Sequence, residues 1–359
     1  MIYDQYINRI KSVVTESQNR KNIQKGLSSN IGYIKPTAKQ RMHEQRLFTN
    51  SIHLNSPQPL NSILNPSALE TATLGHPDFV SIKGTDETAF HYIVSVFIDI
   101  AGSTNLFRSY DLEEIYTITN TIQSAALHTC VSVGGHIQRL QGDGVFAYFG
   151  GKGIPKKKAV EMAVTACSMI TYFVANDLKK MFLGDEIENI KTRIGIDFGD
   201  DDTVLWANFG VKDISELTTL SLHTSLASKM QAYANLNGIV VGENIKKLLQ
   251  IDESVFDLVR NSKGELIRRY IFEDADNNFR YTQYSFDWYK FLKSLPNIKA
   301  DTEGNLYIIS NEDAEALRLE KLRGASSLIT AGNAFTTATG NITVNNSGIQ
   351  NQPHRFHHE

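Results

Sequence analysis

Two carboxylates in one stretch, from Val94 to Gly150, constrain this chain more than any other feature. Asp99 ends the apolar, β-branched run Val-Ser-Val-Phe-Ile-Asp-Ile, which reads as a buried strand stopped by Ala101-Gly102-Ser103-Thr104. Asp143 sits in Gly-Asp-Gly between two short apolar segments, the signature of a tight hairpin. If those strands are neighbours, both acids reach one spot at a sheet edge. Two carboxylates held that close repel unless a cation lies between them, so the pairing asks for hard divalent ions with oxygen ligands. Gly-Asp-Gly alone is ordinary turn chemistry. Asp99 has no such explanation, because burying an unpaired carboxylate is costly.

At 359 residues the chain is long enough for two domains, or for one with extensions. A formal net charge of -3 gives no reason to expect a nucleic-acid partner, so any phosphate must be bound locally. Cys130 and Cys167 have neither metal-ligand nor redox spacing and read as buried thiols of a reducing compartment. No apolar run approaches the roughly 18 residues of a membrane span, and the first residues lack a basic-then-apolar leader. The expectation is a cytoplasmic protein with no membrane partner.

Residues 1–90 are polar, with a helical pattern over 2–14 and then an extended arm that reads as a dimer-embracing extension. Residues 91–275 predict a folded domain in a definite order: strand 92–100, helix 105–133, hairpin 136–140 and 145–149, helix 156–176, then strands 191–197 and 203–209. Helix 219–236, strand 239–241 and strands 255–259 and 266–272 follow. This order predicts an α+β fold, a ferredoxin-like antiparallel sheet with helices on one face and the other face left for a partner. Residues 276–330 read as an extension with an aromatic-rich helix over 281–295 and a strand at 306–309, and 331–359 as a flexible tail. His357 and His358 in that tail are adjacent and make a poor metal site, and Asp200-Asp201-Asp202 reads as a solvated turn.

Three motifs together, Phe-Ile-Asp-Ile-Ala-Gly-Ser-Thr (97–104), Gly-Asp-Gly (142–144) and Arg-Ile-Gly-Ile-Asp-Phe-Gly (193–199), resemble the class III nucleotidyl cyclase domain over residues 92–273. The resemblance implies two divalent ions, Mn²⁺ or Mg²⁺, on Asp99, Asp143 and the carbonyl of Ile100. Gly102, Ser103 and Thr104 join strand to helix, so their N–H groups can cradle a triphosphate, and Ser103 or Thr104 also suits an N-cap. The loop is not the Gly-x-x-x-x-Gly-Lys of a P-loop. Ser225 and Lys229, four apart on one helix face, stand where the family carries an Asn that orients ribose and an Arg that stabilises the α-phosphate. Lysine supplies the charge without the bidentate fork. Lys263 resembles the family's triphosphate-binding lysine.

At the base-reading positions the family has Lys for adenine or Glu for guanine, with Asp or Cys as partner, whereas this chain has Arg139 and Thr218. Arginine only donates, so it suits uracil O4, while Thr218 can donate or accept. Guanine O6 would also accept, and Arg139 could instead pair with a local acid. These substitutions look like the pyrimidine cyclases of bacterial antiphage signalling. The resemblance therefore implies a homodimer with shared active sites, forming cyclic UMP from UTP in preference to cyclic CMP from CTP, for a downstream cyclic-nucleotide effector. The competing readings are a guanylate cyclase and a non-catalytic nucleotide sensor.

Overall fold

The computed structural model describes residues 3–27, 72–212, 214–260, 263–266, 272–274, 279–309, 312–320, 334–336 and 342–344. Helix α1 (Asp4–Leu27) leads, followed after a 3-10 turn at Pro77–Ile82 by β1 (Ala89–Phe90), β2 (Ile93–Ala101), a 3-10 helix (Ser103–Arg108) and α2 (Leu112–Ser132). Next come β3 (Gly135–Gln141), β4 (Gly144–Phe149) and α3 (Lys156–Tyr172), which runs on through a π-helical stretch, Phe173–Leu178. Then follow β5 (Lys191–Gly199), β6 (Leu205–Val211), β7 (Ile214–Leu220), α4 (Leu222–Tyr233), β8 (Gly238–Gly242), α5 (Glu243–Leu249) and β9 (Phe256–Leu258). The first compact unit, residues 1–308, closes with β10 (Phe272–Asp274), β11 (Phe279–Tyr281), β12 (Gln283–Phe286), α6 (Trp288–Ser294), β13 (Ile298–Ala300) and β14 (Leu306–Ile308). The second unit, 309–359, contains the antiparallel pair β15 (Ala334–Thr336) and β16 (Ile342–Val344).

Among the described residues, seven strands form one sheet in the order β3-β4-β2-β5-β8-β12-β9, antiparallel except where β5 meets β8. Its first four strands, with α2 and α3, have the expected ferredoxin-like order. Val94, Val96 and Ile98 alternate inward with Val145, Ala147 and Phe149 of β4 and Ile194, Ile196 and Phe198 of β5. Small residues on the helices, Ala126 and Cys130 of α2 and Ala159 and Ala163 of α3, let both lie close to that face. The stretch Lys156–Met181 is long and apolar enough to span a membrane by composition, but 72% of its apolar window is buried inside the protein, so it is a core helix.

The opposite face is not left open as expected. Helix α4 lies on it, so close that a Cβ on Gly195 would fall 2.1 Å from the Ala227 carbonyl oxygen. Ser95 Oγ lies 2.8 Å from Thr224 Oγ1, and His223 Nδ1 lies 2.9 Å from the buried Asp197 carboxylate, which also accepts from the Tyr281 hydroxyl. A smaller sheet, β1-β6-β7, covers the rest through Trp206, which stacks on Phe79 at 4.0 Å. Three helices are shorter than the sequence predicts: that expected over 105–133 spans Leu112–Ser132, and two others give up their first turns to strands. Residues 214–220 alternate Leu217 and Thr219 inward as strand β7, and α4 starts only after Ser221 caps it. Residues 283–286 likewise alternate as β12, with Asp287 capping α6. Because β12 lies between β8 and β9, the sheet continues past residue 275, where a catalytic domain and an extension were expected to part.

Residues 3–27 are likewise no free arm. Tyr3, just before α1, and Tyr6, Ile7 and Ile10 within it pack with Ile118, Ile122 and Phe173, and the two phenols reach Thr129 Oγ1 at 2.9 Å and His128 Nδ1 at 2.7 Å. Of the expected extended arm, residues 15–27 continue α1 and 72–90 hold the 3-10 turn and β1, while 28–71 and most of the tail, His357 and His358 included, lie outside the described residues.

Asp177 in the π-helical stretch is buried, and that burial pushes its carboxyl up to about 7. The folded chain therefore holds this proton more tightly than the unfolded one does. Stability present below the ordinary carboxylate range is lost as pH rises toward 7, by about 4 kcal/mol at most. Asp177→Asn should raise the thermal midpoint at pH 8 by about 5 °C and change it little at pH 4. An equal shift at both pH values would contradict this.

Candidate active site

The β2–β4 ladder runs from Val94 opposite Phe149 to Ile98 opposite Val145. Asp99 is the next residue along β2 and Gly144 the next along β4, so Asp99 and Asp143 leave the ladder at the same end, on strands about 4.8 Å apart. The Ile98 carbonyl oxygen lies 3.1 Å from where a Gly144 Cβ would stand, so it faces β4. Two residues on, Ile100 turns its carbonyl to the same side beyond the last paired couple.

Strand alternation puts Asp99 on the α4 side of the sheet and half-buried, rather than buried as expected. It is held by Arg193, directly opposite on β5, whose Nη2 and Nε donate to Oδ2 at 2.6 and 3.0 Å. Asp143 Oδ2 accepts from Ser103 Oγ at 2.6 Å. From the other side, the Gln123 amide of α2 donates to the carbonyls of Gly142 and Gly144 at 3.0 and 3.2 Å. Ser103, Asp143, Phe107, Tyr116, Asn120 and Gln123 line an open cleft of about 650 Å³.

The strand-to-helix junction differs from expectation. Gly102 adopts φ +92°, and a Cβ there would fall 2.7 Å from the Asn189 carbonyl oxygen, so glycine is required. The chain then enters the short 3-10 helix; α2 starts only at Leu112, capped by Asp111 and Glu114. Ser103 makes no cap bond, because its hydroxyl is committed to Asp143, and Thr104 is exposed. The expected cradle at an α-helix N-terminus is therefore replaced by a 3-10 helix of six residues.

Among the described residues no group of three or more His, Cys, Asp or Glu side chains gathers as a metal site. The donor set at this edge is two carboxylates and the Ile100 carbonyl, all hard oxygens, which suits Mg²⁺ or Mn²⁺ when water and phosphate complete the shell. Arg193 engages only Oδ2 of Asp99, which leaves Oδ1 as the oxygen a cation would meet first.

The β3 register steps from Ile137 opposite Ala147 to Arg139 opposite Phe146, leaving Gln138 as a bulge. A strict two-residue period would turn Arg139 toward the helices with Ile137; the bulge re-aims it to the other face. There Arg139 meets Glu216 of β7, through Nε to Oε1 at 3.0 Å and through Nη2 to Oε2. Gln138 Nε2 also donates to Glu216 Oε1 and to the Leu217 carbonyl, at 2.8 and 2.7 Å. The arginine and glutamate side chains remain 41% and 35% exposed, so both keep bonding capacity for a ligand.

Thr218 lies two residues along β7, on the strand rather than at a helix start, with Oγ1 3.1 Å from the Tyr148 hydroxyl. Ser225 and Lys229 lie exposed on α4, with Ser225 Oγ bonded back to the Ser221 carbonyl at 3.1 Å. Lys263 is exposed in the turn between the bridged residues Arg260 and Leu266. The chain thus gathers Asp99, Ile100, Ser103 and Asp143 at one edge, and Arg139 with β7 beside it.

No family model matches the chain. Over 233 residues it is 42% identical to a cytidylate cyclase of Staphylococcus aureus, an overlap of 64% of this chain and 54% of that protein. A cytidylate cyclase of Escherichia coli is 31% identical over 265 residues, 72% of this chain and 57% of that one. This chain is a relative of the cytidylate cyclases. It spans about half the length of the curated relatives it matches. Among solved structures, the adenylyl cyclase CyaB of P. aeruginosa aligns with a TM-score of 0.43 at 19% identity, covering 56% of this chain and 95% of that one. The resemblance to class III nucleotidyl cyclases of the pyrimidine kind is borne out by the cytidylate cyclase relatives.

Sequence reading of this cytidylate cyclase relative missed Arg193, Glu216, Gln138 and Gln123. Glu216 had a usable signal, since it stands two before Thr218 and shares its face once 214–220 is read as a strand. Arg193 had one too, as it opens the third motif.

Proposed function

We propose that this chain converts a pyrimidine nucleoside triphosphate, CTP ahead of UTP, into its 3′,5′-cyclic monophosphate and pyrophosphate. The observation that carries this is the acid pair Asp99 and Asp143 at the end of the β2–β4 ladder, in a chain 42% identical to a cytidylate cyclase. In the reaction the ribose 3′-oxygen bonds the α-phosphorus, the bond from that phosphorus to the bridging oxygen breaks, and the 3′-hydroxyl proton is released. Divalent ions held by Asp99, Asp143 and the Ile100 carbonyl would lower the hydroxyl's pKa and offset charge on the leaving pyrophosphate. Ser103 orients the Asp143 carboxylate. Lys229 supplies a positive charge toward the α-phosphate, Ser225 a hydroxyl toward ribose, and Lys263 a charge toward the triphosphate.

Arg139 and Glu216 read the base. Arginine by itself favours UTP, because it offers donors only. Glu216 supplies the missing acceptor, and cytosine presents an N4 amine beside its acceptors. Together with the names of the relatives, this moves CTP ahead. A guanine edge also offers donors beside an acceptor, so GTP belongs in the test.

The exposed placement of Ser225 and Lys229 on α4, and of Phe209, Val211 and Ile214 on the β6–β7 hairpin, supports a homodimer whose sites take their acids from one chain and their α4 pair from the other. The product would then serve an effector in antiviral defence. Incubation with ATP, GTP, CTP and UTP plus Mn²⁺, and separation of the cyclic products, tests the reaction and names the base. Cyclic GMP alone would sink the pyrimidine reading; no product from any nucleotide would leave the sensor. Mixing Asp99→Ala and Lys229→Ala chains, each inactive, should restore about one working site per heterodimer, and no recovery would contradict shared sites.

A further inference from the structure

We infer that Gln123 is a positioning residue that aims Asp143 by clamping the backbone on both sides of it. The inference rests on reading Asp143 as a metal ligand. Gln123 sits on α2, buried, and its single amide nitrogen donates to the carbonyls of Gly142 and Gly144, the two neighbours of Asp143. Both partners are acceptors that cannot donate, so the amide orientation is settled by chemistry.

The turn it holds is a two-residue loop between Gln141 and Gly144, with Gly142 at φ +61°. Glycine at that position leaves the loop soft, because its conformational freedom is larger than any other residue's. A loop this soft does not point a carboxylate reproducibly. Gln123 removes the freedom from the backbone side while Ser103 holds the carboxylate itself, so Asp143 is gripped at both ends.

The rail that carries Gln123 is itself fixed. Arg20 of α1 reaches Asp111 and Glu114 at the start of α2, and Tyr6 of α1 and Tyr3 just before it bond His128 and Thr129 near the end of α2. The N-terminal segment thus ties down both ends of the helix that carries Gln123.

Two variants test the clamp in the full chain. Gln123→Leu removes both donors. Gln123→Glu keeps the shape but sets a carboxylate against two carbonyls, and regains one donor when protonated. In the metal-free protein, hydrogen exchange over residues 141–145 should speed up about 10-fold in both variants at pH 8. Mn²⁺ affinity, read by electron paramagnetic resonance, should fall about 10-fold and kcat about 10- to 100-fold, with KM for nucleotide within about threefold. In Gln123→Glu alone, exchange and Mn²⁺ affinity should move back toward wild type as pH falls. A packing role would not produce that recovery. Either variant, with wild-type exchange and wild-type Mn²⁺ affinity at pH 8, overturns the inference. If the wild-type chain binds no Mn²⁺, the reading of Asp143 as a ligand fails, and exchange alone decides whether Gln123 holds the turn.

Discussion

Replacing Asp143 by asparagine is expected to cut cyclic-nucleotide formation by about 10³-fold or more while leaving the chain folded. The turn has its own supports: Gly142 supplies the positive φ, and Gln123 holds the flanking carbonyls. An asparagine side-chain oxygen can still accept from Ser103, and asparagine is at home in turns. The change removes one negative charge at the end of the β2–β4 ladder. The same change at Asp99 is less informative, because it would also remove the opposite charge from Arg193, whose guanidinium is only 35% exposed, even though the amide oxygen could still accept from it. Initial rates at saturating nucleotide, measured beside thermal midpoints, decide the matter. A variant retaining more than a tenth of the wild-type rate would show that Asp143 is only a turn residue.

The second large effect is expected at Glu216. Glu216→Ala leaves Arg139 with donors alone, so CTP should lose a charge-assisted hydrogen bond from its N4 amine, about 1.5–3 kcal/mol or roughly 10- to 100-fold in kcat/KM. UTP has no amine there and should change less than about threefold. The protein should lose little stability, since the Arg139–Glu216 pair is partly exposed and such pairs contribute about 1 kcal/mol or less. Competing CTP against UTP and quantifying both cyclic products reads the ratio directly. Equal losses for the two nucleotides would place Glu216 outside base recognition.

The inner sheet was legible because its strands alternate cleanly between one apolar core and one mixed face, as Val94, Val96 and Ile98 show. The acid pair was legible because each carboxylate interrupts a pattern that has no use for it. Other features depend on pairing, which a linear pattern does not carry. Arg193 meets Asp99 only through the register of β2 and β5. Gln123 meets the acid turn only because α2 lies over β4. The bulge at Gln138 reverses the face on which Arg139 emerges, and nothing in Gly-His-Ile-Gln-Arg-Leu-Gln announces it. The helix expected over 219–236 starts later in the structure, because Thr218, Thr219 and Leu220 fit either period until Trp206 and Ala207 lie beside them.

The bond between Arg193 and Asp99 has a consequence for the life of the molecule before it meets metal. A site that brings its own counter-ion asks for no divalent cation in order to form. The chain can fold with Asp99 balanced from within by Arg193. On the proposed two-metal mechanism, scarcity of metal would idle such a protein without unmaking it.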